Sequence, residues 1–356
     1  MRIAWYSFHG RYSDNPRALH EALLTRPDLD HVWLADPRHA AAFPPGTTTV
    51  DVDSDAATDA LESADLVVAN THVEVPWSKP VSTTYLQTWH GTPLKRIHRD
   101  VLWAPEGRLD RLDHDIDKWD LLLSPNAAST PRLRGAFHYE GEVLESGYPR
   151  NDLLSTAAAT DVRAKVRAEL GLDEDATAVL YAPTWRDDEV FTDDTREVPL
   201  ALDAAALLGE LPGHVLLVRS HNMVTGRSRL ERTPRAFDVS FYPDVRDLYA
   251  AADVLVTDYS SAMFDFAITG RPMVFYAYDL ERFQDSVRGL YFDLLPEAPG
   301  PVVRTPEELV AALRGLPGTE AAYADRYTAF RQRYTSLEDG RATDRVLARL
   351  GLSTAP

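Results

Sequence analysis

Short, mostly apolar or β-branched runs recur along this chain, each followed by a polar turn and then by residues at helical spacing. In the first part they are Ile3 to Tyr6, His31 to Ala35, Leu66 to Ala69, Val81 to Leu86, Trp119 to Leu123 and Glu142 to Glu145. In the second they are Ala178 to Tyr181, His214 to Val218, Val254 to Val256 and Pro272 to Tyr276. Strands alternating with helices at this spacing predict βαβ units and mainly parallel sheets. The length, 356 residues, suits two domains of roughly 150 to 180 residues, each able to bury its own core. Gly147-Tyr148-Pro149-Arg150-Asn151-Asp152 punctuates the chain, so the expected domains are 1–155 and 156–356, with the final helix free to cross back to the first. Two such sheets face one another across a cleft.

Helix signals fill the intervals. Pro16 suits a first helical turn capped by Asn15 or Asp14, running through Leu19, Leu23 and Leu24. Ser124-Pro125-Asn126 reads as the opening of another helix, and the alanine-rich stretch to Leu170 as a third. Leu202 to Leu208, Val245 to Ala251, Ala262 to Ile268 and most of 306–350 complete the helical expectation, while 187–197 reads as an acidic loop.

A net charge of −18 argues against a nucleic-acid binder, which normally carries a basic excess. It argues equally against attraction of the whole surface to anionic lipid. With no cysteine in the sequence, disulfides, thiolate metal sites and a cysteine nucleophile are excluded. No apolar run reaches the roughly 18 residues that span a bilayer, and Met1 to Trp5 enters a strand without a signal peptide's apolar core. The expectation is a cytoplasmic protein. Residues 95–118 break the rhythm: Lys95, Arg96, Arg99, Arg108, Arg111 and Lys118 alternate with Ile97, Val101, Leu102, Trp103, Leu109 and Leu112. That mixture reads either as a solvated loop and helix or as a surface meeting an anionic lipid or polymer.

The chemistry gathers at strand ends, where open α/β sheets hold ligands. His90, with Gly91 behind it and Pro93 beyond, reads as a strand-end turn, structural or catalytic, and histidine suits general base or acid work near neutral pH. Thr184-Trp185-Arg186, Arg219-Ser220-His221 and Thr257-Asp258-Tyr259-Ser260-Ser261 end three strands of the second part. Ser260 or Ser261 caps a helix whose free N–H groups favour a phosphate, and Asp265, a turn later, is placed either to accept from ribose hydroxyls or to face solvent. Arg219 offers a bidentate grip on phosphate or an ion pair to one of the many acids. There is no ATPase-type phosphate loop, no G-x-G-x-x-G fingerprint and no His-Glu-x-x-His motif. These absences disfavour a P-loop ATPase, a hydride-transfer enzyme and a zinc protease.

Trp-His-Gly-Thr-Pro-Leu-Lys at 89–95 and Asp-Tyr-Ser-Ser at 258–261 resemble the CDP-glycerol glycerophosphotransferase family, the teichoic-acid primases and polymerases. Further matching stretches are Ser7 to Arg17, Trp119 to Asn126, Gly147 to Asp152, Tyr181 to Arg186 and Tyr334 to Gly340. The resemblance implies a GT-B fold, two Rossmann-like domains with the nucleotide donor held mainly by the second. It implies transfer of glycerol phosphate from CDP-glycerol to a hydroxyl of a lipid-linked or polymeric cell-wall glycan, releasing CMP, at the inner face of the cell membrane. His90 then corresponds to the general base, His221 to the second essential histidine at the donor diphosphate, and Ser260 and Ser261 to phosphate ligands. Gly91, Thr92, Thr184, Trp185, Arg186, Arg219, Asp258, Tyr259 and Asp265 complete the expected substrate-binding set, with Ser7, Asn15 and Arg17 on the acceptor side.

The chemistry agrees, since an alcohol attacking phosphorus needs a base and a positioned histidine typically contributes about 10²–10⁴-fold. No protein cofactor or metal site is expected, and a divalent cation would enter with the donor diphosphate. Polymerases of the family often carry an extra N-terminal region for membrane docking; here that task would fall to residues 95–118. Alternatives that keep the fold are a CDP-ribitol donor or glycosyl transfer from a nucleotide sugar. A catalytically dead polymer-binding module is disfavoured by the presence of both histidines and the serine pair.

Overall fold

A strand flanked by neighbours on both edges and helices on both faces has no polar side, so aliphatic residues fill it end to end. The computed structural model describes residues 1–102, 107–184, 200–220, 230, 233–282 and 289–353, without the side chains of Arg108 and Arg111. Its first sheet comprises β1 (Arg2–Tyr6), β2 (Asp30–Ala35), β3 (Thr49–Asp51), β4 (Leu66–Ala69), β5 (Thr84–Gln87), β6 (Leu121–Ser124) and β7 (Glu142–Glu145), in the order β3-β2-β1-β4-β5-β6-β7. The second comprises β8 (Thr177–Ala182), β9 (His214–Val218), β10 (Ala236–Asp238), β11 (Val254–Thr257), β12 (Met273–Tyr276) and β13 (Val302–Val303), in the order β10-β9-β8-β11-β12-β13. Every strand pair in both sheets is parallel. The α/β class and the paired parallel sheets are as expected.

Side-chain alternation divides each sheet's core into two layers. Ala4 and Tyr6 pack on one face of the first sheet with Val67, Tyr85 and Leu122; Ile3 and Trp5 pack on the other with Trp33, Leu66 and Leu123. In the second sheet Ala178 and Leu180 face one layer, Val179 and Tyr181 the other. The late helix Ala342–Arg349 supplies Val346 and Leu347 to the layer built around Trp5 and Trp33, so the chain's end completes the first sheet's core. Leu94 does the reverse and packs in the second sheet's core. Its neighbours form a short antiparallel bridge, with Tyr291 N donating to Leu94 O at 2.8 Å and Arg96 N to Gly289 O at 3.1 Å.

Two helix starts differ from expectation. The first helix, Asp14–Leu23, has Ser13 at its N-cap position, and Asp14 takes a left-handed φ of 63°. Asp14 and Asn15 do not cap because their side chains hold other parts of the molecule. The helix expected at Ser124 begins at Thr130, with Ser129 at its cap position. Asn126 folds back instead, its Oδ1 accepting from Ser129 N and Oγ at 2.9 Å while its Nδ2 donates to Tyr334 O at 2.8 Å. Val81 is fully exposed and β5 starts only at Thr84, after the turn closed by Thr83 N on Pro80 O. The acidic loop 187–197 lies outside the described residues.

Candidate active site

β5 ends at Gln87, whose side chain controls the turn that follows. Gln87 Oε1 accepts from Trp89 N at 2.9 Å and its Nε2 donates to Thr71 O at 3.0 Å. Trp89 adopts a left-handed φ of 53°, unusual for a bulky residue. The reversal turns His90 into the cleft, and Arg150 fixes its carbonyl with a 2.9 Å bond from Nη1. His90 Nδ1 lies 2.5 Å from Asn70 O. A carbonyl only accepts, so Nδ1 carries the proton and the Nε2 lone pair remains available. Phe8 sits edge-on at 5.3 Å and Trp89 lies 4.2 Å away, between ring centroids. Removal from water depresses the His90 pKa to about 4, more than the Asn70 contact and the Asp14 charge raise it. Near neutral pH the imidazole is therefore an unprotonated base.

At Gly91 the two halves come close. A Cβ there would meet Ser261 Oγ at 2.8 Å, so only glycine fits without displacing that serine. The two motifs, 170 residues apart in sequence, thus meet across the cleft. Ser260 and Ser261 both line it, with Ser260 Oγ accepting from Ala262 N at 3.3 Å at the start of the short helix Ala262–Phe266. The cleft encloses about 460 Å³, and Thr92, Arg219, Arg11, Asp14 and Asp244 also border it.

Beneath it lies a buried polar network the sequence reading did not assign. Arg150 donates to Asp14 Oδ2 at 2.5 Å and to Asp265 Oδ2 at 2.7 Å. Asn151 Nδ2 bonds Asp265 Oδ1 at 3.0 Å and Glu338 Oε1 at 3.3 Å, while Tyr148 N donates to Glu338 at 3.1 Å. The two carboxylates hold Arg150 well above its ordinary pKa against the effect of burial. Burial above all, and then the Asp265 charge, pushes Glu338 up to about 8. The sequence marked its members separately, in the 7–17, 147–152 and 334–340 stretches and at Asp265, without joining them into one network.

Several residues expected to bind substrate also hold the frame of the site. Asp265 borders the cleft but is buried, with both oxygens engaged by Arg150 and Asn151, so it is neither a solvated acid nor a free ribose acceptor. Asp258 Oδ1 accepts from Thr184 N at 2.8 Å and Tyr259 N at 2.6 Å, joining two strand ends. Tyr259 is wholly buried, with its hydroxyl 3.2 Å from Asp279. Thr92 is buried, with its Oγ1 3.5 Å from Asn126 Nδ2. On the acceptor side, Ser7 Oγ bonds Ser13 O at 3.1 Å inside its own loop. Asn15 Nδ2 holds Trp89 O and its Oδ1 accepts from Arg150 N, both at 3.1 Å. Arg17 bonds Glu21 at 2.7 Å and reaches Asp244 of the other half at 3.5 Å. Arg219 faces the cleft, its Nη1 donating to Val239 O and Tyr242 O at 3.0 and 2.9 Å, in place of an ion pair among the described residues. His221, Trp185 and Arg186 lie outside the described residues. Among the described residues no group of three or more His, Asp or Glu is placed to hold a metal, and no helix is long and apolar enough to cross a membrane.

The family model of CDP-glycerol:poly(glycerophosphate) glycerophosphotransferases matches residues 1–351. The chain is 39% identical to the teichoic acid glycerol-phosphate transferase of Staphylococcus aureus over 97% of its own length and 91% of that protein. It is 35% identical to the teichoic acid poly(glycerol phosphate) polymerase of Bacillus subtilis over 97% of its length, spanning 48% of that longer protein. A solved structure of the wall teichoic acid polymerase TagF superposes with a TM-score of 0.89 at 33% identity, covering 98% of this chain and 88% of that one. The chain belongs to the CDP-glycerol:poly(glycerophosphate) glycerophosphotransferase family, and its fold is GT-B.

Proposed function

We propose, from this family membership, that the protein transfers glycerol phosphate from CDP-glycerol to a hydroxyl of a cell-wall glycan in teichoic acid synthesis, releasing CMP. The observation that carries the mechanism is the meeting of His90-Gly91 with Ser260-Ser261 across one cleft. The acceptor hydroxyl gives its proton to His90 Nε2 as its oxygen bonds the glycerol-bearing phosphorus. The bond from that phosphorus to the bridging oxygen breaks, and CMP leaves with the electron pair. Ser260 and Ser261 hydroxyls hold the donor phosphates where charge accumulates, and preorganised donors of this kind are typically worth about 3–4 kcal/mol each in the transition state. His221, which lies outside the described residues, is the second histidine of this reading.

The test is CMP release from CDP-glycerol, CDP-ribitol and a UDP-sugar, with a membrane extract as acceptor source. CMP from CDP-glycerol, lost in His90→Ala with donor binding retained, is the expected result. UDP from the sugar control with no CMP would keep the fold and discard phosphotransfer.

The acceptor is lipid-linked in this reading, and the protein works at the inner membrane face. Segment 95–118 supports docking there less uniformly than its composition implied. Arg99 pairs with Asp113, Lys118 lies 5.2 Å over the Trp77 ring, and Arg96 packs against Gly289, while Leu102 stays 57% exposed. Leu102→Glu is expected to lower co-sedimentation with anionic vesicles, and an unchanged bound fraction would remove this segment from the docking surface.

A further inference from the structure

Strand order gives the cleft two stations. On the first sheet His90 and Gly91 follow β5, whereas Arg11 follows β1, two strands away across β4. On the second sheet Ser260 and Ser261 follow β11, whereas Arg219 follows β9, two strands away across β8. Neighbouring strands lie ~4.8 Å apart, so each offset is about 10 Å. Gly91 meets Ser261 at one station, and Arg11 and Arg219 border the same cleft at the other.

Charge at the second station is unbalanced. Arg11 is half-buried, and the acid whose charge reaches it, Asp36, is held by Arg38 at 2.9 Å. Arg219 spends Nη1 on two carbonyls, which hold the guanidinium without neutralising it. The cleft carboxylates Asp14 and Asp244 are already engaged by Arg150 and by Arg17 and Arg246. At Arg219 burial works against the charge most, the Asp244 carboxylate favours it, and the Arg11 charge opposes it. Two like charges from different halves thus border one cleft, and Asp244, the carboxylate there whose charge reaches Arg219, already serves Arg17 and Arg246.

We propose that Arg11 and Arg219 form a phosphate grip closed from both halves at once, distinct from the Ser260–Ser261 station. Guanidinium groups suit this task because each presents paired N–H donors to phosphate oxygens. The inference rests on the transfer reaction proposed above, in which both partners of the reaction carry phosphate. The gripped group comes either from the donor diphosphate or from a phosphodiester of the acceptor. Ligand-free, the pair repels across the cleft; a phosphate between them converts that repulsion into a tie between the halves.

Melting temperature and half-saturating concentration, measured with inorganic phosphate, CDP-glycerol and a glycerol phosphate trimer, test the grip. Wild type is expected to gain stability from phosphate. Arg11→Gln is expected to need at least about tenfold more, the loss of one charge-assisted contact, while Arg11→Lys recovers part of the affinity. Ligand-free Arg11→Gln is expected to melt no lower than wild type, because it removes a repulsion. Weakened CDP-glycerol binding assigns the grip to the donor, and weakened trimer binding assigns it to the acceptor. Unchanged affinity for all three probes overturns it. Arg219 also ties two carbonyls, so Arg11→Gln, not Arg219→Gln, is the deciding variant. If wild type releases no CMP yet loses its phosphate response in Arg11→Gln, the grip stands and the transfer reading falls.

Discussion

His90 donates its Nδ1 proton to the Asn70 carbonyl and keeps a lone pair on Nε2. That division of labour allows a depressed pKa to serve catalysis. The active form is the unprotonated one, so activity persists above the pKa and is lost as pH falls through it. In the free enzyme that limb lies near 4, so kcat/KM should show no titration around the ordinary histidine value. A bound diphosphate favours the imidazolium, so the limb in kcat should move to higher pH. A pH profile of CMP release checks both, and an acid limb near 6.5 in kcat/KM would refute the assigned environment. His90, Gly91, Ser260 and Ser261 were legible in sequence because they sit in the polar turns that follow apolar runs and belong to the two motifs that carry the resemblance. Arg11 and Asn70 were not, because their roles depend on which strand ends lie opposite.

Among the elements, the turn at Pro149–Ser155 connects both halves of the molecule. Its Arg150 reaches the first helix, the His90 turn and the helix after Ser261, and is buried throughout. Arg150→Met leaves Asp14 and Asp265 buried without their cation, a loss that typically costs 3–5 kcal/mol. Denaturant unfolding should register roughly that decrease, with the His90 turn loosened and transfer reduced; stability within about 1 kcal/mol of wild type would show the network to be dispensable. Interior strands such as β4 and β9 were read from sequence at their observed bounds, because burial on both faces leaves a continuous apolar signature. β3, β10 and β13 were not read. They are two- or three-residue edge strands, Thr-Val-Asp, Ala-Phe-Asp and Val-Val, whose pairing is set by the neighbouring strand.

For the whole molecule, the buried network carries a charge imbalance that ties stability to pH. One guanidinium serves Asp14 and Asp265, and Glu338 beside them meets that excess by keeping its proton up to about 8. A carboxyl whose folded pKa is raised stabilises the fold below its unfolded value, near 4.3, and that contribution is lost as pH rises towards 8. Glu338→Gln, neutral at every pH, should therefore melt above wild type at pH 9, with the gap closing by pH 5. A gap independent of pH would mean that Glu338 is ionised throughout.

The helix Ala342–Arg349 places Val346 and Leu347 against Trp5 and Trp33, although it is made after the whole second half. Order of synthesis and order of assembly therefore conflict. A nascent chain that has delivered all seven strands of the first sheet has that face covered in part, by Leu19 and Leu23 of the first helix, and the second half must emerge before Val346 and Leu347 complete the layer. Until then the layer is incomplete, and the helix Ala342–Arg349 acts as the latch on the part of the molecule that was made first.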